Sequence, residues 1–202
     1  MIKLYDSPLS GNAYKVRLYL SLLNIEYEKV AVDLRAGDNR KPDFLARNPR
    51  GQIPVLEDGD TVVWDSQAIL VYLGRRYGGE EWLPLDAAPM AEVTQWLAVS
   101  ENELLFGLAR ARAVKKFGRD FDLNACQQYG IGGLKVMDAH LTDRHWLATG
   151  RPTIADVACF PYIALAPEGD VSLHERPNVL SWIRRMQSLP GYIGMEGIAD
   201  HG

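Results

Sequence analysis

Three short constellations in this sequence have residue types and spacing suited to chemistry. The first is Ser10-Gly11-Asn12, where the turn-forming run Asp6-Ser7-Pro8-Leu9 gives way to a helical pattern. A helix N-terminus presents unpaired N–H groups and a partial positive charge. A thiolate is stabilised there, and a hydroxyl at the cap can donate a hydrogen bond to it. Ser and Asn are equally favoured as plain N-caps, so a purely structural role accounts for the same residues. The second constellation is Ile53-Pro54, at the opening of a strand. Proline cannot donate to a ladder and sits at strand starts or edges. The Ile53 backbone N–H and C=O would lie near a sheet edge, free to pair with an extended peptide. The third is Asp65-Ser66, at the start of another helix. That helix N-terminus and the Ser66 hydroxyl suit an α-carboxylate, and the Asp65 carboxylate suits an α-ammonium. Capping alone also explains both residues. Tyr5 offers a rival phenol donor, although its place in a strand also suits a structural residue.

These residues need elements to position them. Ile2-Lys3-Leu4-Tyr5 reads as a strand, Asn12 to Leu23 as a helix with Val16, Leu20 and Leu23 on one face, and Glu28 to Val32 as a second strand. Asn24 ends the helix. Strand, helix and strand in so short a span predict a parallel pair. Pro54 to Glu57 and Thr61 to Trp64 flank Asp58-Gly59, a hairpin signal. Ala68 to Tyr77 follows as a helix. The order is β-α-β, a short helix, then β-β-α. Residues 78–87 carry two glycines and a proline and read as a linker. Residues 88–202 read as helical throughout, with helices over Pro89 to Val114, Leu123 to Leu141, Thr153 to Ala166 and Val179 to Leu189. The expected class is therefore α/β over residues 1–77 followed by an all-α domain.

Composition narrows the function. A chain of 202 residues, 47% hydrophobic and 24% charged, is ordinary for a globular protein. A net charge of −4 lacks the basic excess of a nucleic-acid binder. The most apolar run, Val157 to Pro167, is too short for a membrane span and is interrupted by Pro161. The N-terminus shows no secretory pattern, and Cys126 and Cys159 make no disulfide framework, so a cytoplasmic protein is expected. Both cysteines read as buried residues. His140 and His145 are five apart, off a common helical face, and His174 and His201 have no companion ligands, so no metal is expected. Gly130-Ile131-Gly132-Gly133 lacks dinucleotide-binding spacing and reads as a close packing site. Thr153-Ile154-Ala155-Asp156 reads as a structural helix start of the capping-box kind.

Taken together, five motifs in register resemble the cytosolic glutathione transferase family over nearly the whole chain. They are Ser10-Gly11-Asn12-Ala13-Tyr14-Lys15-Val16-Arg17, Asn48 to Leu56, Asp65-Ser66-Gln67-Ala68-Ile69, Arg151 to Asp156, and the pair Pro177 to Trp182 and Leu189 to Tyr192. The resemblance implies a thioredoxin-like βαβαββα domain, a cis Ile53–Pro54 bond and glutathione as co-substrate. By the same resemblance Ile53 meets the cysteinyl unit, Asp65 and Ser66 hold the γ-glutamyl end, and Lys41 and Gln52 approach the glycyl end. Ser10 stands where the serine-type theta, zeta and delta classes place the sulfur's donor, and Asn12 where some relatives place a functional asparagine. The electrophile pocket implied by analogy takes in Leu9, Glu103, Phe106, Gly107 and Arg110. Arg110 would favour an anionic acceptor, or be merely solvated. A homodimer and a role in detoxification are implied as well.

Two departures matter. Residues 1–77 contain no cysteine, which argues against thiol–disulfide exchange by the enzyme. The run Ser10-Gly11-Asn12 also differs from the Ser-Ser-Cys of the zeta class, which isomerises maleylacetoacetate. The leading expectation is addition of the glutathione thiolate to a small hydrophobic electrophile. Glutathione-dependent isomerisation and a non-catalytic, glutathione-binding scaffold remain the alternatives. The chain shows no appended segment, which favours a free-standing enzyme.

Overall fold

The computed structural model describes residues 1–200; residues 201 and 202, including His201, lie outside the described residues. Its first half is a four-stranded sheet, β1 (Ile2–Asp6), β2 (Tyr27–Ala31), β3 (Val55–Asp58) and β4 (Thr61–Trp64), in the order β2-β1-β3-β4. β1 and β2 run parallel, as their helical crossover α1 (Gly11–Leu22) requires. β3 is antiparallel to both β1 and β4, and the Gly59-Asp60 turn between β3 and β4 uses a positive φ of 59° at Gly59. Asn24, with φ 53°, turns the chain after α1. Alternation along β1 sends Ile2, Leu4 and Asp6 to one side of the sheet and Tyr5 to the other. Leu4 and Leu56 join Val16, Leu20 and residues of α3 (Ser66–Leu73) in the main core. Tyr5 and Ile53 pack with Val32, Val55 and Phe44 of α2 (Pro42–Arg47) in a smaller cluster.

The span read as a linker is partly helical. The chain leaves α3 through a π turn, Gly74–Gly78, and forms α4 (Gly79–Trp82) before reaching the second half. The next helix is longer than its apolar pattern suggests. It comprises α5 (Ala87–Val99), a π-helical stretch Ser100–Ala109 and α6 (Arg110–Phe117), and ends at Gly118 with φ 62°. Then follow α7 (Leu123–His140), α8 (Ile154–Ala164) and α9 (Pro177–Gln187). Every residue of α8 is buried, which explains why the most apolar run of the chain lies there. Thr153 and Asp156 form the expected capping box at its start. α1 packs against α8. The segment after α9 lies back across α1, where the Tyr14 hydroxyl donates to the Ile193 carbonyl at 2.5 Å and the Ser21 hydroxyl to that of Gly191 at 2.7 Å.

Gly130 and Gly133 of α7 are a packing device, as expected, whereas Gly132 is not. A Cβ on Gly107 would collide with the backbone N and Cα of Gly130, one on Gly130 would lie 2.9 Å from the Leu108 nitrogen, and one on Gly133 would lie 2.7 Å from Glu103 Cβ. Two helices therefore cross almost in backbone contact. Gly107→Val is expected to cost about 3 kcal/mol or more, because backbone cannot yield as a side chain can. Gly132 meets nothing, so Gly132→Ala should be neutral or stabilising by up to about 1 kcal/mol. Urea unfolding of the two variants checks both signs. A loss below about 1 kcal/mol for Gly107→Val would refute the close crossing.

Candidate active site at the first-helix N-terminus

Ser10 is the N-cap of α1, in extended conformation, and its Oγ accepts a hydrogen bond from the Ala13 N–H at 3.2 Å. That bond uses an oxygen lone pair and leaves the hydroxyl proton available to a further acceptor. No acidic residue stands in the first turn, so the helix's partial positive charge is not neutralised by a side chain there. The approach to Ser10 is held at successive carbonyls. Arg17, from α1 itself, ion-pairs with buried Asp6 and donates to the carbonyls of Ser7 (3.3 Å) and Pro8 (3.1 Å). Arg112, from α6, donates to the carbonyl of Leu9 at 2.9 Å. Gly11 is required by a second cross-half contact: a Cβ there would stand 2.6 Å from the Tyr162 ring of α8. Burial pushes the Tyr162 phenol up to about 12, against the opposing pull of nearby Arg112. Asn12 is half-buried, and its Oδ1 is buried without a hydrogen-bond partner. Tyr5, the rival donor, gives its hydroxyl to Glu57 at 3.2 Å and lies under the Arg47 guanidinium.

The Ile53–Pro54 peptide is cis. Ile53 and Pro54 precede the first paired residue of β3, and Gln52, exposed, accepts from Asn48 Nδ2 at 2.7 Å through its carbonyl. Lys41 is exposed and ion-pairs with Asp38 at 2.6 Å. Asp65 caps α3 from a left-sided backbone, φ 78°, rare for a residue bearing a Cβ. Such outliers gather at binding sites because their neighbours must hold them. Its Oδ1 accepts from the Gln67 N–H at 3.0 Å, and its Oδ2 meets Arg50 at 3.0 Å. Ser66 follows, buried, as the first residue of α3. Beneath it a polar network joins the two halves. The Gln67 side-chain amide donates to Ser100 Oγ (3.0 Å) and Glu101 (2.7 Å), and Lys15 donates to Ser100 Oγ at 3.1 Å. Lys15 is fully buried, and desolvation lowers its pKa.

The residues expected to line an electrophile pocket divide. Glu103 and Gly107 turn to α7, where they meet Gly133 and Gly130. Residues 103 and 107 are about one helical turn apart and so lie on one face. Phe106 and Arg110 stay together, with the guanidinium 4.2 Å from the Phe106 ring centre and 4.8 Å from that of Phe121. Leu9 is half-buried beside Ser10 and bound to Arg112.

Comparisons with known proteins match both halves of the chain. The family model for the glutathione S-transferase N-terminal domain matches residues 1–75, and that for the C-terminal domain matches residues 132–190. The chain is 32% identical to glutathione S-transferase 3 of Zea mays, over 95% of this chain and 91% of that one. The chain belongs to the glutathione S-transferase family. It is also similar to the glutathione S-transferase GstB of Escherichia coli (29% identity, 94% of this chain and 95% of that one). Among solved structures, a possible glutathione S-transferase from Rhodopseudomonas palustris superposes with a TM-score of 0.90 at 38% identity, over 96% of this chain and 98% of that one.

Three features of this transferase escape a reading of its sequence: Arg112 at the Leu9 carbonyl, Tyr162 on Gly11, and the Lys15–Gln67–Ser100–Glu101 network. Each joins residues remote in the chain. Glycine between two capping residues was the one local sign, since it marks a close approach there. Among the described residues no helix is long and apolar enough to cross a membrane, and no three metal-ligating side chains gather.

Proposed function

We propose that this transferase binds glutathione against Ile53-Pro54 and the α3 N-terminus, stabilises its thiolate at Ser10, and adds it to a small hydrophobic electrophile. The supporting observation is the state of Ser10: its oxygen is engaged by a backbone N–H while its proton is free, at a helix end bearing no acid. A free thiol near pKa 8.5 is only a few per cent thiolate at pH 7. Lowering it by about two units takes roughly 2.7 kcal/mol of preference for the anion. One hydrogen bond to a charged acceptor and a helix N-terminus together supply energy of that order. Ser10 acts as a donor and not as a base; the thiol proton leaves to water or buffer, the sulfur lone pair forms the new bond to the electrophilic carbon, and the electron pair of that carbon's π bond moves onto the acceptor, which is then protonated by water or, where it carries a halide, expels it.

In this reading the γ-glutamyl carboxylate sits on the α3 N-terminus and Ser66, its ammonium on the Asp65 carboxylate, shared with Arg50 or in its place, and the glycyl carboxylate near Lys41 and Gln52. Asn12, whose Oδ1 has no partner, is a further contact at the sulfur end. Leu9, Phe106 and Arg110 border the electrophile. The protein works as a cytoplasmic homodimer, in detoxification. Glutathione titrated at neutral pH is expected to develop a saturable thiolate absorbance in an ultraviolet difference spectrum. Binding shown by calorimetry without that absorbance would refute thiol activation while leaving glutathione recognition intact.

A further inference from the structure

We propose that Arg112 is a positioning residue through which the helical half sets the thiol-stabilising geometry of Ser10; this rests on the Ser10 reading above. The loop before α1 presents three consecutive carbonyls, and each accepts from a guanidinium. Arg17 serves Ser7 and Pro8 from within the first half, so those two are held however the second half is placed. Among the described residues the Leu9 carbonyl is held from α6 alone, by Arg112 Nη1 at 2.9 Å. It belongs to the peptide bond that leads directly into Ser10. Any rotation of that peptide carries the cap and the Gly11 N–H with it, and sub-ångström misplacement is costly at a reacting atom.

Arg112 is built to hold this position. It is 3% exposed, and its Nε is fixed on Glu168 Oε2 at 2.5 Å. Lys116 ion-pairs with the other oxygen of Glu168. The guanidinium therefore engages two fixed acceptors along one rigid plane, Glu168 behind and Leu9 in front. Its Nη2 is buried without a partner. A lysine keeps the charge beside Glu168 but has one compact ammonium and cannot serve both acceptors at those positions. Removing the donor leaves the Leu9 carbonyl without that partner, two residues before Gly11, which is packed against the Tyr162 ring.

The test compares Arg112→Lys and Arg112→Met in two backgrounds, otherwise native and Ser10→Ala, reading the pKa of the bound glutathione thiol by ultraviolet titration together with kcat and KM for conjugation of a standard dinitrohalobenzene. Arg112→Lys retains the ion pair with Glu168 and is the variant that decides if Arg112→Met fails to fold. In the native background it is expected to raise the bound thiol pKa by about half a unit to one unit and to lower kcat roughly five- to ten-fold, with KM for glutathione within about two-fold. In the Ser10→Ala background it should shift the thiol pKa no further, because there is no hydroxyl left to position. A native thiol pKa in Arg112→Lys, when Ser10→Ala raises it, overturns the proposal and leaves the Ser10 reading standing. An equal shift in both backgrounds also overturns it, since the arginine then acts by its own charge. No effect of Ser10→Ala itself removes the Ser10 reading, and this proposal with it.

Discussion

Asp156→Ala is expected to lose about 5 kcal/mol of unfolding free energy, because four buried donors, the Thr153 hydroxyl among them, would forfeit their acceptor at about 1–3 kcal/mol apiece. Asp156 is fully buried at the start of α8. One carboxylate oxygen accepts from Trp182 Nε1 at 2.8 Å and the Leu147 N–H at 3.0 Å; the other accepts from the Thr153 N–H at 2.9 Å. The residue thus ties α9 and the loop before α8 to the helix that the rest of the second half packs on. A loss of that size is a large part of the stability of an ordinary domain. Asp156→Asn keeps one acceptor oxygen and should lose roughly 2 kcal/mol. Guanidinium unfolding measures both, and a loss under about 1 kcal/mol for the alanine variant would mean that water replaces the carboxylate.

The same residue gives the native state a pH dependence of known sign. Burial pushes the Asp156 carboxyl up from 3.8 to about 6, while its Trp182, Leu147 and Thr153 donors pull it down. A folded value above the unfolded one means that the native state holds this proton more tightly. Its contribution is therefore fully present below pH about 4 and declines as pH rises through about 6. Asp156→Asn should flatten that part of the stability profile.

Ser10→Ala is expected to reduce kcat/KM for conjugation roughly ten- to hundred-fold at pH 7, less than the roughly hundred- to thousand-fold lost when one oxyanion-hole donor is removed, because the helix N-terminus still stabilises the anion. The bound thiol should titrate about one to one and a half units higher. Activity would then recover as pH rises, because thiolate forms without assistance; the profile of the variant is displaced to alkaline pH. The lost cap on Ala13 adds only about 1 kcal/mol of destabilisation, too little to account for such a fall in turnover at 25 °C. Ser10→Thr keeps a hydroxyl at the cap and should retain part of the rate. An unchanged profile in Ser10→Ala would pass the donor's role to Asn12, since the Tyr5 hydroxyl is already given to Glu57.

How much could be read in advance follows the range of each interaction. Ser10, Asp65, Thr153 and Asp156 are caps, and a cap is decided within about four residues, so their roles at helix starts are written locally. The parallel β1–β2 pair and the β3–β4 hairpin follow from connection length, also a local quantity. The same holds for the apolar run that became the wholly buried α8. The glycines of α7 announced a close approach but not its partner, which proved to be Gly107 and Leu108.

What was not legible is of one kind. Glu103 and Gly107 are placed at the electrophile by analogy, and the analogy says nothing of the contacts they make with Gly133 and Gly130 of α7. A helix face is written locally, but the element it packs against is not. Arg110 and Arg112 are two apart on one helix and look alike in the sequence. One lies between two phenylalanine rings, and the other is buried against Leu9 and Glu168.

The sequence alone therefore determined the elements, their order, the caps that open the helices and the family the chain belongs to, because these depend on near neighbours and on patterns along the chain. Only the tertiary structure decided which cation holds the loop before Ser10, which ring lies on Gly11, and which side chains are buried together beneath Asp65. Those pairings join residues about a hundred positions apart or more in the case of Arg112 and Tyr162, where no periodicity links the partners and only the packing of one half on the other brings them into contact.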